Sequence, residues 1–283
     1  MTDWKFSYFT CATPDWTPAE AVTNLAAQGW DGVEWRVTDD PGADTVGFWA
    51  GNRATWPMTG LEENIPAMRA TAADAGLEVS GIGAYANCHD REGVERVLAA
   101  TAALGVRQAR VTVPGVGDAE TYPEVFDAAR AAYAWVAERA AHHGVKALVE
   151  LHHRTVTASA SSAMRLLDGL DPAHVGVIHD MGNLVCEGWE RPKWAAQLLG
   201  EYLAHIHVKN ALFVQTGTDP DGTVNHEPKM VPLQSGQVDL RTYLAEITST
   251  GYTGWITCED FSTELPLAER SAANLAYLKE CAP

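Results

Sequence analysis

Along the chain, Ala- and Leu-rich stretches with helical spacing alternate with short, β-prone apolar runs. The junctions repeat: a helix-like run ends at Gly, an apolar residue follows, and a strand-like run begins. This occurs at Gly29-Trp30, Gly76-Leu77, Gly105-Val106, Gly144-Val145 and Gly251-Tyr252. Gly just past a helix end takes the left-handed backbone that other residues resist. Thr17-Pro18-Ala19-Glu20 and Thr121-Tyr122-Pro123-Glu124 read as capping boxes with Pro in the first turn. The pattern predicts strands at 5–10, 32–36, 78–84, 107–113, 146–151, 175–180, 203–209 and 254–259. It predicts helices near 17–28, 62–75, 91–104, 121–142, 158–168, 191–199, 238–248 and 265–279.

Eight βα units imply a parallel sheet with right-handed crossovers. They close most simply as an α/β fold, a single (β/α)8 TIM-barrel domain over residues 1–283. An open, doubly wound sheet gains no support, because no GxGxxG follows the first strand. Two long segments fall on the βα side, where such barrels build their sites. These are 37–60, with Trp49 and Trp56, and 210–236, with Thr216-Gly217-Thr218-Asp219-Pro220-Asp221-Gly222. Both read as lid loops.

With 283 residues, 46% apolar and 20% charged, the composition is that of a globular chain with a sizeable core. The net charge of −17 repels phosphate backbones and anionic membranes, so neither nucleic acid nor membrane is expected as a partner. Five scattered cysteines without a CxxC pair read as reduced thiols, and a cytoplasmic location is expected. The sequence shows neither a signal-peptide core nor an apolar run of membrane-spanning length.

Each of the last four predicted strands ends in a group able to bind a cation. These are Glu150, Asp180, His207 and Glu259. Charge at the end of an apolar strand is costly to bury unless it is paired or metal-bound. Three carboxylates and one imidazole suit one divalent ion, Mn2+ foremost, with Mg2+, Co2+ or Zn2+ as alternatives. Open coordination positions would accept a vicinal hydroxyl and carbonyl, and the cation would stabilise a developing enediolate. Strand alternation directs His152 with Glu150, Lys209 with His207, and Trp255 with Glu259 towards the same cavity. All three are therefore candidate substrate-binding residues.

Each residue also has a plainer reading. Asp180 alone would serve as a helix N-cap about half the time. Glu150 could form a barrel salt bridge with Arg110 or Lys146, and His205 reads as a satisfied core histidine. The coincidence of four on consecutive strands favours the metal.

Several motifs carry a family resemblance. Gly29-Trp30-Asp31-Gly32-Val33-Glu34, Val149-Glu150-Leu151-His152, His179-Asp180-Met181-Gly182-Asn183, His205-Ile206-His207-Val208-Lys209-Asn210, the stretch from Val231 to Asp239, and Cys258-Glu259-Asp260-Phe261 lie in order along the chain. Together they resemble the sugar phosphate isomerase/epimerase family of xylose isomerase-like barrels. That family includes ketose 3-epimerases, hydroxypyruvate isomerase and inosose dehydratase.

The resemblance implies that Glu150, Asp180, His207 and Glu259 are the metal ligands. It implies that Glu150 and Glu259 are also the catalytic proton-transfer pair. Asn183 stands where the epimerases have a substrate-binding His, and is expected to bind substrate. The expected activity is isomerisation or epimerisation of a ketose or related polyol, unphosphorylated, by α-proton abstraction and an enediolate. Dehydration of a keto-inositol or keto-sugar is the alternative. A DNA-repair endonuclease on a related barrel would need a His-rich multi-metal site and a basic groove, which the charge opposes. A non-catalytic sugar-binding module would bind without proton exchange. Relatives are commonly dimers or tetramers, so a homo-oligomer is compatible.

Overall fold

The computed structural model describes residues 4–282, so residues 1–3 and 283 of the expected domain lie outside the described residues. Eight parallel strands close into a barrel. They are β1 (Lys5–Phe9), β2 (Gly32–Val37), β3 (Glu78–Ala84), β4 (Gln108–Arg110), β5 (Lys146–Glu150), β6 (Val175–Asp180), β7 (Leu203–Val208) and, after a hairpin, β10 (Trp255–Cys258). Strand β1 pairs with both β2 and β10, and β10 pairs with β7, which completes the (β/α)8 architecture.

The helices packed around it are α1 (Pro18–Gln28), α2 (Leu61–Asp74), α3 (Arg91–Leu104), α4 (Tyr122–His143), α5 (Ala160–Leu167), α7 (Pro192–Leu199), α8 (Leu240–Thr248) and α9 (Leu267–Cys281). Helices α1, α3 and α4 end at Gly29, Gly105 and Gly144 with φ of 89°, 82° and 68°. The helix-to-strand junctions therefore turn as the sequence pattern requires. Thr17 and Glu20 form the expected capping box. Thr121 does not: its hydroxyl donates to the Glu124 carboxylate at 2.7 Å and caps no backbone N–H.

Three elements depart from the sequence expectation. Strand β4 is only three residues long, because Val111–Val113 leave the ladder after Val111 N–H bonds to Leu148 C=O. A short helix, α6 (Met181–Cys186), starts directly on Asp180. Residues 210–236 are not a structureless loop. They contain an antiparallel hairpin of β8 (Asn210–Thr218) and β9 (Val224–Val231). Its base is tied by Asn210, whose amide donates to the Leu233 and Val238 carbonyls at 2.8 and 2.9 Å. A Cβ at Gly236 would collide with that amide.

The other long segment, 37–60, forms a strap over the barrel mouth. Val37 bridges to Trp56, and buried Arg36 bonds to Asp40 at 2.9 Å, to the Trp49 carbonyl at 3.1 Å and to the Thr55 hydroxyl.

The barrel interior is polar for much of its depth. Ser7 and Thr257 hydroxyls meet at 2.6 Å, and both are fully buried with His205. The apolar core lies mainly between barrel and helices. No described helix is long and apolar enough to cross a membrane.

Candidate metal centre

The C-terminal strand ends bring Glu150, Asp180, His207 and Glu259 together. One donor atom from each lies within 4.8 Å of all the others, and all four residues are buried. Parallel register explains part of this: Asp180 sits beside His207 across β6 and β7. His207 Nδ1 lies 3.4 Å from Glu150 Oε1, 3.9 Å from Asp180 Oδ2 and 3.8 Å from Glu259 Oε2. It is buried and has no hydrogen-bond partner among the described residues. A buried orphan nitrogen facing three carboxylates is what a cation would satisfy. The residues present therefore fit a divalent ion.

Two of the plainer readings hold at the same time as this convergence. Asp180 Oδ1 caps α6 by accepting from Asn183 N–H at 3.0 Å, while Oδ2 faces the cluster. Arg110 donates to Glu150 Oε2 at 2.7 Å, which leaves Oε1 towards His207. Lys146 stands at the opposite end of β5 and has no part in that pair.

Lys209 Nζ is buried against Asp180 Oδ2 at 2.7 Å and against Glu259 Oε2. Asn183 donates to Asp180 Oδ2 at 3.0 Å and to Glu150 Oε1 at 3.3 Å. Both residues thus join the cluster directly. His152 lies half-buried at the mouth, stacked on His153 with ring centroids 4.5 Å apart.

Trp255 does not join them. Alternation places it on the same strand face as Glu259, but four residues of rise put it roughly 13 Å lower. It lies at the N-terminal end of the barrel, in a cavity lined also by Lys5, Glu78 and Lys146, with Lys5 Nζ 5.3 Å from its ring.

Charge crowding sets the electrostatics. Burial, with Glu259 and Glu150 adding to it, pushes the Asp180 carboxyl up to about 7 despite the Lys209 ammonium. Burial also opposes the charge on Glu150, but the Arg110 guanidinium, together with His207, His152 and Lys209, outweighs it and holds that carboxyl well below its usual range. The carboxylates likewise hold Lys209 protonated against its burial. A cation added here would offset both the burial and the neighbouring carboxylates that raise Asp180.

The sequence reading missed three residues at this site. Glu34, on β2, lies 3.0 Å from His207 Nε2. Arg110 appears there only as a salt-bridge partner. His153 donates through Nδ1 to Asn183 Oδ1 at 3.1 Å. Glu34 carried a signal: an acidic residue inside the apolar strand Gly32–Val37 has the same burial problem as Glu150. Above the cluster, Phe261 packs against Phe48 and Trp49 at 5.0 and 5.1 Å, and Trp49 is 58% exposed. The strap thereby sets an aromatic wall beside Lys209, whose Nζ is 5.4 Å from the Phe261 ring.

Residues 22–281 match the family described as xylose isomerase-like TIM barrel. None of the curated proteins matches the chain. Among solved structures, the 3-keto-D-glucoside 4-epimerase of E. coli superposes with a TM-score of 0.73 at 17% identity, over 99% of this chain and 100% of its own. A xylose isomerase-like TIM barrel protein from Mycobacterium smegmatis, in complex with magnesium, gives 0.69 at 19% identity, over 99% and 96%. A probable 3-DHS dehydratase from Bacillus anthracis gives 0.70 at 18% identity, over 97% and 98%. At these identities the likeness concerns the fold.

Proposed function

The chain belongs to the xylose isomerase-like TIM-barrel family, and from that premise we propose that it is a divalent-metal-dependent isomerase or epimerase of a ketose or related polyol. The observation that carries this reading is the convergence of Glu150, Asp180, Glu259 and the unpartnered Nδ1 of His207 at one barrel mouth. Mn2+ or Mg2+ suits that donor set, and the bound ion would supply a Lewis acid that polarises the substrate carbonyl.

The protein's own groups do the rest. Glu150 and Glu259 flank the cluster from β5 and from the residue after β10, so one can remove the proton next to the carbonyl and the other can return it. Arg110 keeps Glu150 ionised and orients it through Oε2. Lys209 holds Glu259 and Asp180 in place and can donate to a substrate oxygen that develops charge. Asn183 spans Glu150 and Asp180, and with His152 it binds substrate hydroxyls at the rim. The Phe48–Trp49–Phe261 wall excludes water and offers an apolar face to a sugar ring. Both an epimerase and a dehydratase occur among the structural neighbours.

A second reading, loss of a β-hydroxyl, has its own support. His153, held through Asn183, places an imidazole beside the cluster that could protonate a leaving hydroxyl.

Deuterium exchange at carbon-bound protons, measured across a panel of ketoses and keto-inositols, tests both readings. Exchange with formation of an epimer or isomer supports the first, and exchange with loss of water supports the second. Binding without exchange on any substrate would discard enzymatic proton abstraction.

A further inference from the structure

A chain of hydrogen bonds, part-buried at its foot and buried above, runs up the barrel interior to the proposed metal centre. At its foot, Gln108 Nε2 lies 3.2 Å from the Ser80 carbonyl and 2.8 Å from His205 Nδ1. A carbonyl only accepts, so this atom is the amide nitrogen, and its second hydrogen goes to His205 Nδ1. His205 Nδ1 is therefore an acceptor, and its proton sits on Nε2. That Nε2–H is shared between Glu34 Oε2 and the Thr257 hydroxyl oxygen, each 2.9 Å away. The same carboxylate oxygen accepts from His207 Nε2 at 3.0 Å.

Glu34 is buried, and it accepts two imidazole N–H groups on one oxygen. Its other oxygen lies against Gly83, where a Cβ would stand 3.1 Å from it and would collide with the Phe9 ring. Phe9 in turn stacks on the His207 ring, with centroids 5.7 Å apart. The imidazole is thus held in plane by Phe9 and in rotation by Glu34.

From this network we infer that Glu34 is a positioning residue for the metal centre proposed above: it keeps the His207 proton on Nε2 and so presents Nδ1 to the cation. Gln108 acts one step further back, by fixing the tautomer of His205 and hence the second donor to Glu34. An imidazole whose far nitrogen donates to a carboxylate is a stronger and better oriented ligand. Nδ1 is then the coordinating atom, and β2, which supplies no ligand, controls affinity.

The test uses the full chain with Zn2+ and 113Cd2+ as probes. In 15N-labelled wild type, 113Cd should couple to His207 Nδ1. Glu34→Gln should weaken Zn2+ binding about 10–100-fold. The thermal midpoint of the metal-free protein should be nearly unchanged. Gln108→Leu should give a smaller loss of the same kind, and it decides the matter alone if Glu34→Gln does not fold. Coupling through Nε2, or Zn2+ affinity within twofold of wild type in the folded variants, overturns the inference. A wild-type chain that takes up neither ion overturns the metal centre itself, a result distinguishable from failure of the Glu34 role.

Discussion

The Arg110 guanidinium donates to Glu150 at 2.7 Å, and both side chains are about 95% buried. Glu150 therefore divides its oxygens between a cation of the protein and the cluster around His207. Removing one partner of a buried pair leaves the other charge uncompensated, at a cost of about 3–5 kcal/mol. Arg110→Met should lose stability of that order in the metal-free protein, and saturating Mn2+ should recover part of it. Thermal or urea unfolding with and without Mn2+ measures this, and equal losses in both would detach Arg110 from the metal centre.

Glu150→Gln should stay folded at reduced stability, because the amide oxygen can still accept from Arg110 although that guanidinium loses its counter-charge. It should slow α-proton exchange by a factor on the order of 10²–10⁴. Far-UV circular dichroism and exchange rates on the same sample separate the two effects. Full exchange in the variant would remove Glu150 from proton transfer.

Chelation should silence the enzyme. Prolonged EDTA treatment is expected to abolish activity, with Mn2+ or Co2+ restoring it. A cation that binds only the native state at 100 times its dissociation constant adds about 2.7 kcal/mol. The thermal midpoint should therefore rise with added Mn2+. A midpoint and an activity both indifferent to chelator would count against the site.

His179 carries the pH prediction. Strand alternation turns it away from the barrel axis, and its Nδ1 meets the Tyr243 hydroxyl at 3.0 Å. Burial lowers its pKa to about 4, against about 6.5 in the unfolded chain. Between those values the unfolded state holds a proton that the native state lacks. His179 thus destabilises the fold as pH falls below about 6.5, by at most about 1.4 kcal/mol per pH unit, and the effect levels off below about 4. The stability of His179→Gln relative to wild type should rise across that window. Parallel pH profiles for the two proteins would show that His179 does not titrate in this way.

Much of the architecture was legible in order along the chain, because its signals are local. Gly29, Gly105 and Gly144 announce helix ends through a backbone conformation that few other residues adopt. Apolar runs between them mark strands buried on both faces. The four candidate ligands were legible for a related reason: a charge that ends an apolar strand must find compensation wherever the chain folds.

Other features depended on contacts between distant segments. Period-two alternation states which face Trp255 occupies but not its depth, so it was assigned to the mouth while β10 carries it to the opposite end. Beyond its buried base the β8–β9 hairpin is largely exposed and carries little hydrophobic pattern, and Asn210 and Gly236 fasten that base through contacts that sequence spacing does not reveal. Glu34 meets His207 across 173 positions of chain. Local sequence determined the strands, their order and the charges at their ends. Only closure of the barrel decided which of those charges converge on one another and which serve to hold a neighbour, because that depends on register and on side chains reaching across its interior.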